Sequence, residues 1–233
     1  MSNKKKAPPK KEASGVNAII IISLVLAVVM ITVGAFSVIK MVNPELFDSI
    51  TSIFEMPVKS AYKVTDEVTN YVKFSVKGHG DFVVELYPDV APITVANFQM
   101  LVHDQFYDNL TFHRIADLTG KGGYIIQGGD PKGNGTGGST TIKGEFSANG
   151  VPNNLSHTRG VISMARRGDN YDSGSCQFFI CVGDATTLDG QYATFGRVVE
   201  GMDVVDSING VQLSGTTPVE KVVIESARFA KAK

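Results

Sequence analysis

One short stretch, Phe112 to Asp130, carries the side chains of this chain that could do chemistry. It sets His113 and Arg114 side by side in an apolar segment and reaches Gln127 just before a Gly-Gly turn. Arginine stays charged at any working pH and is rarely buried without a partner. Arg114 is therefore either a structural charge paired with a carboxylate or a donor held ready for a ligand. Because side chains alternate along a strand, His113 is expected to face away from whatever Arg114 faces.

The sequence lacks the motifs of covalent, metal and nucleotide chemistry. It contains no G-x-S-x-G turn, no H-E-x-x-H and no lysine followed by serine or threonine after a glycine loop. Gly133, Gly135 and Gly138 fit the G-x-G-x-x-G pattern of dinucleotide-binding proteins. That pattern must open a helix, whereas the residues that follow here are β-branched and turn-like. We therefore expect no cofactor and no metal ion.

The two cysteines, Cys176 and Cys181, are expected to be free. On an extended strand their Cα atoms would lie roughly 16 Å apart, whereas a disulfide requires a separation below ~7 Å. No histidine or carboxylate stands beside them at the spacing of metal ligands. We expect two thiols packed as small apolar groups.

The elements around this stretch are mostly short strands. Alternating apolar and polar residues at Tyr71–Lys77 and Phe82–Tyr87, with a glycine turn between them, predict a hairpin with one buried face. Apolar residues at helical spacing predict helices at Thr94–Val102 and Met202–Ile208. Further strands are predicted at Thr111–Ile115, Tyr124–Gln127, Gly160–Met164, Gln177–Val182, Ala193–Val199 and Val219–Ala227. Short strands, glycine-rich turns and two helices predict a mostly β domain, a closed antiparallel barrel, over residues 70–233.

The N-terminal part of the chain has a different composition. Residues 1–17, which contain lysine, proline and serine, are expected to form a disordered basic tail. From Ala18 to Ile39 no residue is charged, and a helix of this length spans about 33 Å, which matches the hydrocarbon core of a bilayer. Residues 18–39 are therefore predicted to be a transmembrane helix. A cleaved signal peptide is the alternative, because Val33–Ala35 ends in small residues, but its apolar core is usually only about 7 to 15 residues long.

The flanks of the apolar segment predict its orientation. Five lysines precede it, so the positive-inside rule keeps the tail in the cytoplasm and places everything after Lys40 outside. In the linker, residues 40–69, apolar side chains between Pro44 and Pro57 recur at helical spacing and predict a short amphipathic helix. It is either a helix that lies on the membrane or the domain, or a plain linker helix.

Composition limits the classes of partner. The chain has 233 residues and a net charge of -1, which gives no reason to expect nucleic acid as a partner. With 43% hydrophobic residues it can bury a packed core. We expect a monomeric domain.

Several motifs occur in an order that resembles one known family. The sequence contains FHRI, IQGGD, NGTGG, GVISMA, QFFI, LDGQYATFG and VVEGMDVVDSI in succession. Between Val72 and about Phe229 the chain resembles the cyclophilin peptidyl-prolyl isomerases. The resemblance implies an eight-stranded antiparallel barrel closed by two helices, in agreement with the predicted elements. Together with the predicted anchor, it implies a bacterial isomerase on the cytoplasmic membrane that faces outward and assists the folding of exported proteins.

The resemblance also implies the site residues. Arg114 matches the family's catalytic arginine, whose guanidinium bonds the substrate around the prolyl amide, and Gln127 matches the glutamine that orients it. Tyr124 is the third residue expected to act in catalysis. The positions expected to bind proline-containing substrates are Tyr124, Ile125, Phe179 and Leu188 in the proline pocket, Ala165, Arg166 and Gln177 in the groove, and Tyr192, where many eukaryotic members have histidine.

The implied reaction agrees with the missing motifs. Rotation about an X-Pro amide meets a barrier of ~18 to 20 kcal/mol, and lowering that barrier requires no nucleophile, metal or cofactor. It requires an apolar pocket for the proline ring and a donor that favours the twisted amide over the planar one. The alternative is a non-catalytic module that holds proline-containing segments, which the extra residues between Arg114 and Tyr124 favour.

Overall fold

The alternating pattern that begins at Tyr71 forms the first hairpin of a closed barrel. The structure, a computed structural model, describes residues 60–233. Its strands are β1 (Tyr62–Val64), β2 (Tyr71–Val76), β3 (Gly80–Leu86), β4 (Thr111–Asp117), β5 (Tyr124–Gly128), β6 (Val161–Met164), β7 (Phe178–Cys181), β8 (Thr194–Glu200), β9 (Leu213–Ser214), β10 (Thr217–Pro218) and β11 (Val222–Ala232). Its helices are α1 (Pro92–His103) and α2 (Met202–Asn209), with 3-10 turns at Ser147–Asn149 and Thr186–Leu188.

The predicted tail, transmembrane helix and amphipathic helix lie outside the described residues. Within residues 60–233, no helix has both the length and the apolar character that a membrane crossing requires. The predicted linker, residues 40–69, overlaps the described residues, and one strand lies in this overlap. This element is β1, in which Tyr62 lies opposite Ala232 of β11.

Eight strands close on themselves. Every pairing is antiparallel, in the order β11, β2, β3, β8, β6, β7, β5 and β4, and β11 also pairs with β4, where Val222 lies opposite Phe112. This confirms the predicted mostly β, eight-stranded closed barrel with two helices. Helix α1 begins two residues before its predicted start, at Pro92. Proline fits this position because the N–H groups of the first turn have no partner within the helix, so the missing N–H of Pro92 breaks no hydrogen bond.

Alternation along the strands separates two apolar clusters. On β5, Ile126 joins the main core inside the barrel, where aromatic rings pack together, as in the edge-to-face contact of Phe98 with Phe178 at 5.7 Å. Its neighbour Ile125 faces the other way, into a small cluster with Phe179, Cys181 and Ala185. Residues that face outward from β5 and β7 thus build a second apolar surface on the wall of the barrel.

The cysteines belong to different clusters. Cys176 packs in the main core and Cys181 in the small cluster, and both are buried free thiols, as predicted. Burial raises the pKa of Cys181 to about 12, so this thiol stays protonated and unreactive at neutral pH.

Candidate active site

The small apolar cluster forms the floor of a depression of about 450 Å³ on the outer wall of the barrel. Strands β4 and β5 supply polar side chains along one edge of it, and the segments that follow β6 and precede β8 form the other edge. The residues predicted from the sequence that line it are Arg114, Ile125, Gln127, Ala165, Arg166, Phe179 and Tyr192. An apolar floor with a few convergent polar groups is the usual form of a ligand pocket.

A chain of amides fixes Arg114 at this edge. Its Nη1 donates to Oε1 of Gln127 at 3.0 Å, and Nε2 of Gln127 donates to Oε1 of Gln177 at 3.0 Å. The Nε2 of Gln177 in turn donates to the carbonyl oxygens of Gly137 at 2.8 Å and Gly135 at 3.2 Å. No carboxylate of residues 60–233 forms an ion pair with Arg114. Of the two interpretations of Arg114, the geometry therefore favours the donor held for a ligand.

His113 also borders the depression, although alternation predicts that it faces away from Arg114. The difference has a local cause: the pairing of β4 with β5 shifts register between Phe112 and Arg114, and such a bulge re-aims side chains. The imidazole is buried, and neither ring nitrogen has a hydrogen-bond partner within the described chain. Burial lowers the pKa of His113, so it is neutral beside the arginine.

The ring of Phe179 is held from two sides. Tyr192 meets it edge-on at 5.6 Å, and the imidazole of His157 stacks behind it at 5.8 Å. His157 contacts Asp189 through Nδ1 at 2.8 Å and Ser163 through Nε2 at 3.1 Å. A serine, a histidine and an aspartate joined in this way also occur in sites with a serine nucleophile. Ser163 is completely buried, however, so its hydroxyl cannot reach a substrate. The network is a support for the apolar floor.

The guanidinium of Arg166 is fixed on the rim. It stacks on the rings of Tyr192 at 4.6 Å, Tyr171 at 4.8 Å and Phe146 at 5.3 Å, and its Nε donates to the carbonyl oxygen of Gln191 at 3.0 Å. Cation–π contacts of this kind order an otherwise mobile side chain. Beyond the rim lies a second depression of about 410 Å³, which shares several lining residues with the first.

Three predicted residues lie elsewhere. Gln177 lines the second depression and reaches the first only through Gln127. Leu188 packs against the small cluster but does not line the depression. Tyr124 is 41% exposed and does not line it either. Since Tyr124 of β5 is paired with Asp117 of β4, it belongs to the sheet, and alternation places it on the side opposite to Ile125.

Leu118 is the apolar lining residue that was not predicted from the sequence; the other lining residues that were not predicted are His113, Gly133, Asn134, Gly135, Thr216 and Thr217. It contacts the depression from the loop between β4 and β5 and packs against the small cluster. The signal for it was present in the sequence, because Leu118 is the single apolar side chain in the otherwise polar and glycine-rich stretch from 117 to 123.

Similarity to known proteins shows the family of this chain. The family model described as "Cyclophilin type peptidyl-prolyl cis-trans isomerase/CLD" matches residues 71–229. The chain belongs to the cyclophilin family. Over 149 residues it is 40% identical to peptidyl-prolyl cis-trans isomerase cypE of Dictyostelium discoideum, which covers 64% of this chain and 90% of the relative. Over 147 residues it is 39% identical to CYP18-2 of Arabidopsis thaliana, with 62% and 85% covered.

Solved structures agree as well. A crystal structure of a cyclophilin-type isomerase from Cryptosporidium parvum, determined in the presence of the dipeptide Ala-Pro, is 27% identical with a TM-score of 0.61. It covers 68% of this chain, and 98% of its own length is matched. The chain is thus a cyclophilin-type peptidyl-prolyl cis-trans isomerase. The names of the relatives support catalysis over the non-catalytic alternative.

Proposed function

We propose that the depression binds the prolyl segment of a polypeptide and that Arg114 is the donor that accelerates its isomerisation. In this arrangement Ile125 and Phe179 receive the proline ring, while Arg114 faces the amide. The observation that carries the proposal is the guanidinium itself, which Gln127 fixes beside an apolar floor and which has no carboxylate partner among residues 60–233.

The physics of the amide explains why this arrangement lowers the barrier. A planar amide delocalises the nitrogen lone pair into the carbonyl group, and twisting the C–N bond by about 90° at the barrier ends that delocalisation. The nitrogen then regains a lone pair that can accept a hydrogen bond. A donor aimed at it binds the twisted form more strongly than the planar one, which is the condition for raising the rate.

Replacing the arginine tests this assignment. In Arg114→Ala we expect a loss of about 2 to 4 kcal/mol of transition-state stabilisation, as for other single preorganised donors. The measurement is kcat/KM for an Ala-Pro-containing peptide, followed as exchange between its cis and trans isomers. Arg159→Ala is the matched control. That arginine pairs with Asp206 at 2.6 Å and does not line the depression. An Arg114→Ala protein with wild-type activity would remove Arg114 from the mechanism.

We further propose that the isomerase is a bacterial membrane protein that acts on proline-containing segments of exported proteins. Residues 18–39 would anchor it in the cytoplasmic membrane, with residues 1–17 inside, residues 40–69 as the linker and the catalytic domain outside. Support comes from the uncharged run between Ala18 and Ile39 and from the lysines before it. The monomeric state also stays a prediction.

The orientation can be tested on cells that express the full chain. Protease added to cells whose cytoplasmic membrane is intact but whose outer layers are permeable should release the domain. A cytoplasmic protein serves as the control for membrane integrity. If the domain resists cleavage until the cells are lysed, the orientation is wrong.

A further inference from the structure

We propose that Leu118 is a substrate-binding residue that completes the apolar wall of the proline-binding depression, in the proline-pocket role that the family resemblance implies for Tyr124. The inference rests on the proposed location of the prolyl site. It concerns the loop of residues 118–123 between β4 and β5, which is the part of the site that resembles the family least.

The burial of the two side chains carries the proposal. Leu118 is half-buried, lines the depression and packs against the cluster that contains Ile125 and Phe179. Tyr124 has 41% of its surface exposed and belongs to neither set. At this side of the depression a peptide would therefore meet the isobutyl group of Leu118 rather than the ring of Tyr124.

The strand register explains the exchange of roles. Strands β4 and β5 stay paired up to Asp117 opposite Tyr124, so Tyr124 belongs to the sheet and must obey its alternation. Ile125 and Gln127 face the depression, which leaves Tyr124 on the opposite side with Ile126. The first side chain free to turn back over the floor is the one that follows the last pair of β4, which is Leu118.

The loop is built to hold Leu118 in place. One carboxylate oxygen of Asp117 accepts hydrogen bonds from the backbone N–H of Thr119 at 3.0 Å and of Gly120 at 2.9 Å, and the other accepts from the N–H of Gly122 at 2.9 Å. The backbone N–H of Leu118 donates to the carbonyl oxygen of Gly123 at 3.1 Å, which closes the loop. The hydrogen bond from Gly122, helped by those from Thr119 and Gly120, lowers the pKa of Asp117, so the carboxylate stays ionised and accepts all of them at neutral pH.

The loop also lies close to the turn that follows β7. A side chain at Gly183 would collide with the carbonyl group of Gly122, and one at Gly123 would collide with Thr119. The loop and the turn after β7 therefore approach each other backbone to backbone, which only glycine permits. Because the backbone of the loop is fixed from both sides, binding of a substrate against Leu118 requires less ordering than a free loop would.

The decisive experiment compares two alanine variants of the full chain. In Leu118→Ala we expect the dissociation constant of an Ala-Pro-containing peptide to rise roughly tenfold and kcat/KM to fall by a similar factor, because one apolar contact in a hydrophobic pocket has about this effect. Tyr124→Ala should change both quantities by less than about twofold. Leu118→Met conserves volume and should stay close to wild type. Thermal unfolding of each variant checks that it is folded.

A double substitution tests Asp117 as a positioning residue. Asp117→Ala should weaken peptide binding several-fold, and Asp117→Asn, which keeps one acceptor oxygen, should restore part of the loss. If Asp117 acts through Leu118, then Asp117→Ala should cost little more in a protein that already carries Leu118→Ala. Equal costs in both backgrounds would show that Asp117 does not act by positioning Leu118.

The outcomes separate this inference from the proposed function. If Tyr124→Ala loses more binding and activity than Leu118→Ala, Leu118 does not have the role proposed here, while the prolyl site stands. If Arg114→Ala keeps its activity, the location of the site itself is wrong. If neither Leu118→Ala nor Tyr124→Ala changes binding, the apolar wall is formed by other residues and the inference fails.

Discussion

The partner of Arg114 is a neutral amide, and this choice has a functional consequence. A carboxylate at position 127 would fix the guanidinium equally well but would neutralise its charge, whereas Gln127 fixes it through one hydrogen bond at 3.0 Å and leaves the full charge for the substrate. The apolar floor beside it strengthens any hydrogen bond the arginine donates, because a low local dielectric weakens electrostatic interactions less than water does. Gln127 thus fixes the position of Arg114, while Arg114 keeps its full charge for the substrate.

Arg114 and Gln127 line the depression as expected, whereas Gln177 does not, and the positions of His113 and Leu118 were not predicted. Arg114 stands out in the sequence as a charge inside an apolar segment, and the resemblance to the family implies Gln127 beside it. The places of Leu118 and His113 depend on where strand pairing ends and on a bulge in β4. The apolar character of Leu118 is visible in the sequence, but the end of the strand pairing and the bulge are not, since both are decided by the partner strand β5.

At the scale of elements, helix α1 depends on a residue far away in the chain. Its N-cap residue, Ala91, offers no side chain to the first turn. The buried carboxylate of Glu145 replaces it and accepts hydrogen bonds from the backbone N–H of Ile93 at 3.0 Å and of Thr94 at 2.7 Å. A negative charge at a helix N-terminus also interacts favourably with the helix dipole. The cap therefore couples α1 to the loop that follows the glycine-rich segment.

Removing this cap should destabilise the domain without touching the site. In Glu145→Ala we expect the free energy of unfolding to fall by roughly 2 to 4 kcal/mol, because buried N–H groups lose a charged acceptor. Denaturant unfolding measures the change. Glu145→Gln, which keeps one acceptor oxygen, should lose less, and kcat/KM of both variants should stay close to wild type while they are folded. A Glu145→Ala protein as stable as the wild type would show that the cap contributes nothing.

Long periodic elements could be predicted and very short ones could not. The hairpin of β2 and β3, both helices and the strands β4 to β8 were predicted with ends displaced by at most two residues. The last strand, predicted at Val219–Ala227, begins three residues later and ends five residues later as β11. The strand β1 and the hairpin of β9 and β10 were missed. Strands of two or three residues are too short to show a periodicity of their own. β1 exists because the longer β11 supplies its partners, and β9 and β10 pair with each other.

At the scale of the whole molecule, closure of the barrel depends on β11. This strand pairs with β1, β2 and β4, and its contact with β4 joins the two ends of the sheet. Closure removes the free edges on which open sheets aggregate. The number of short strands predicted a barrel, whereas the order of the strands around it depends on long-range pairing that no local pattern records.

The two buried histidines predict how the stability of the whole domain responds to pH. Burial lowers the pKa of His113 and of His157, although Asp130 and Asp189, respectively, act in the opposite direction. In the unfolded chain these residues titrate near pH 6.5. Below that pH the unfolded state binds protons that the folded state does not. The free energy of unfolding therefore falls as the pH is lowered through about 6.5, by at most about 1.4 kcal/mol per pH unit for each histidine.

A second loss follows at lower pH from the aspartates. A hydrogen bond from Arg159 lowers the pKa of Asp206, and the loop hydrogen bonds described above lower that of Asp117. Groups with a depressed folded pKa stabilise the domain above their unfolded pKa, about 3.9, and this stabilisation disappears as the pH falls through the folded pKa. Urea unfolding between pH 8 and pH 3 should show both steps.

His157→Asn should reduce the slope of the first step by about half, since one of two histidines is removed. If the stability of the wild type were constant from pH 7 to pH 5, the buried histidines would be protonated equally in both states, and their assignment as neutral groups beside the site would be wrong.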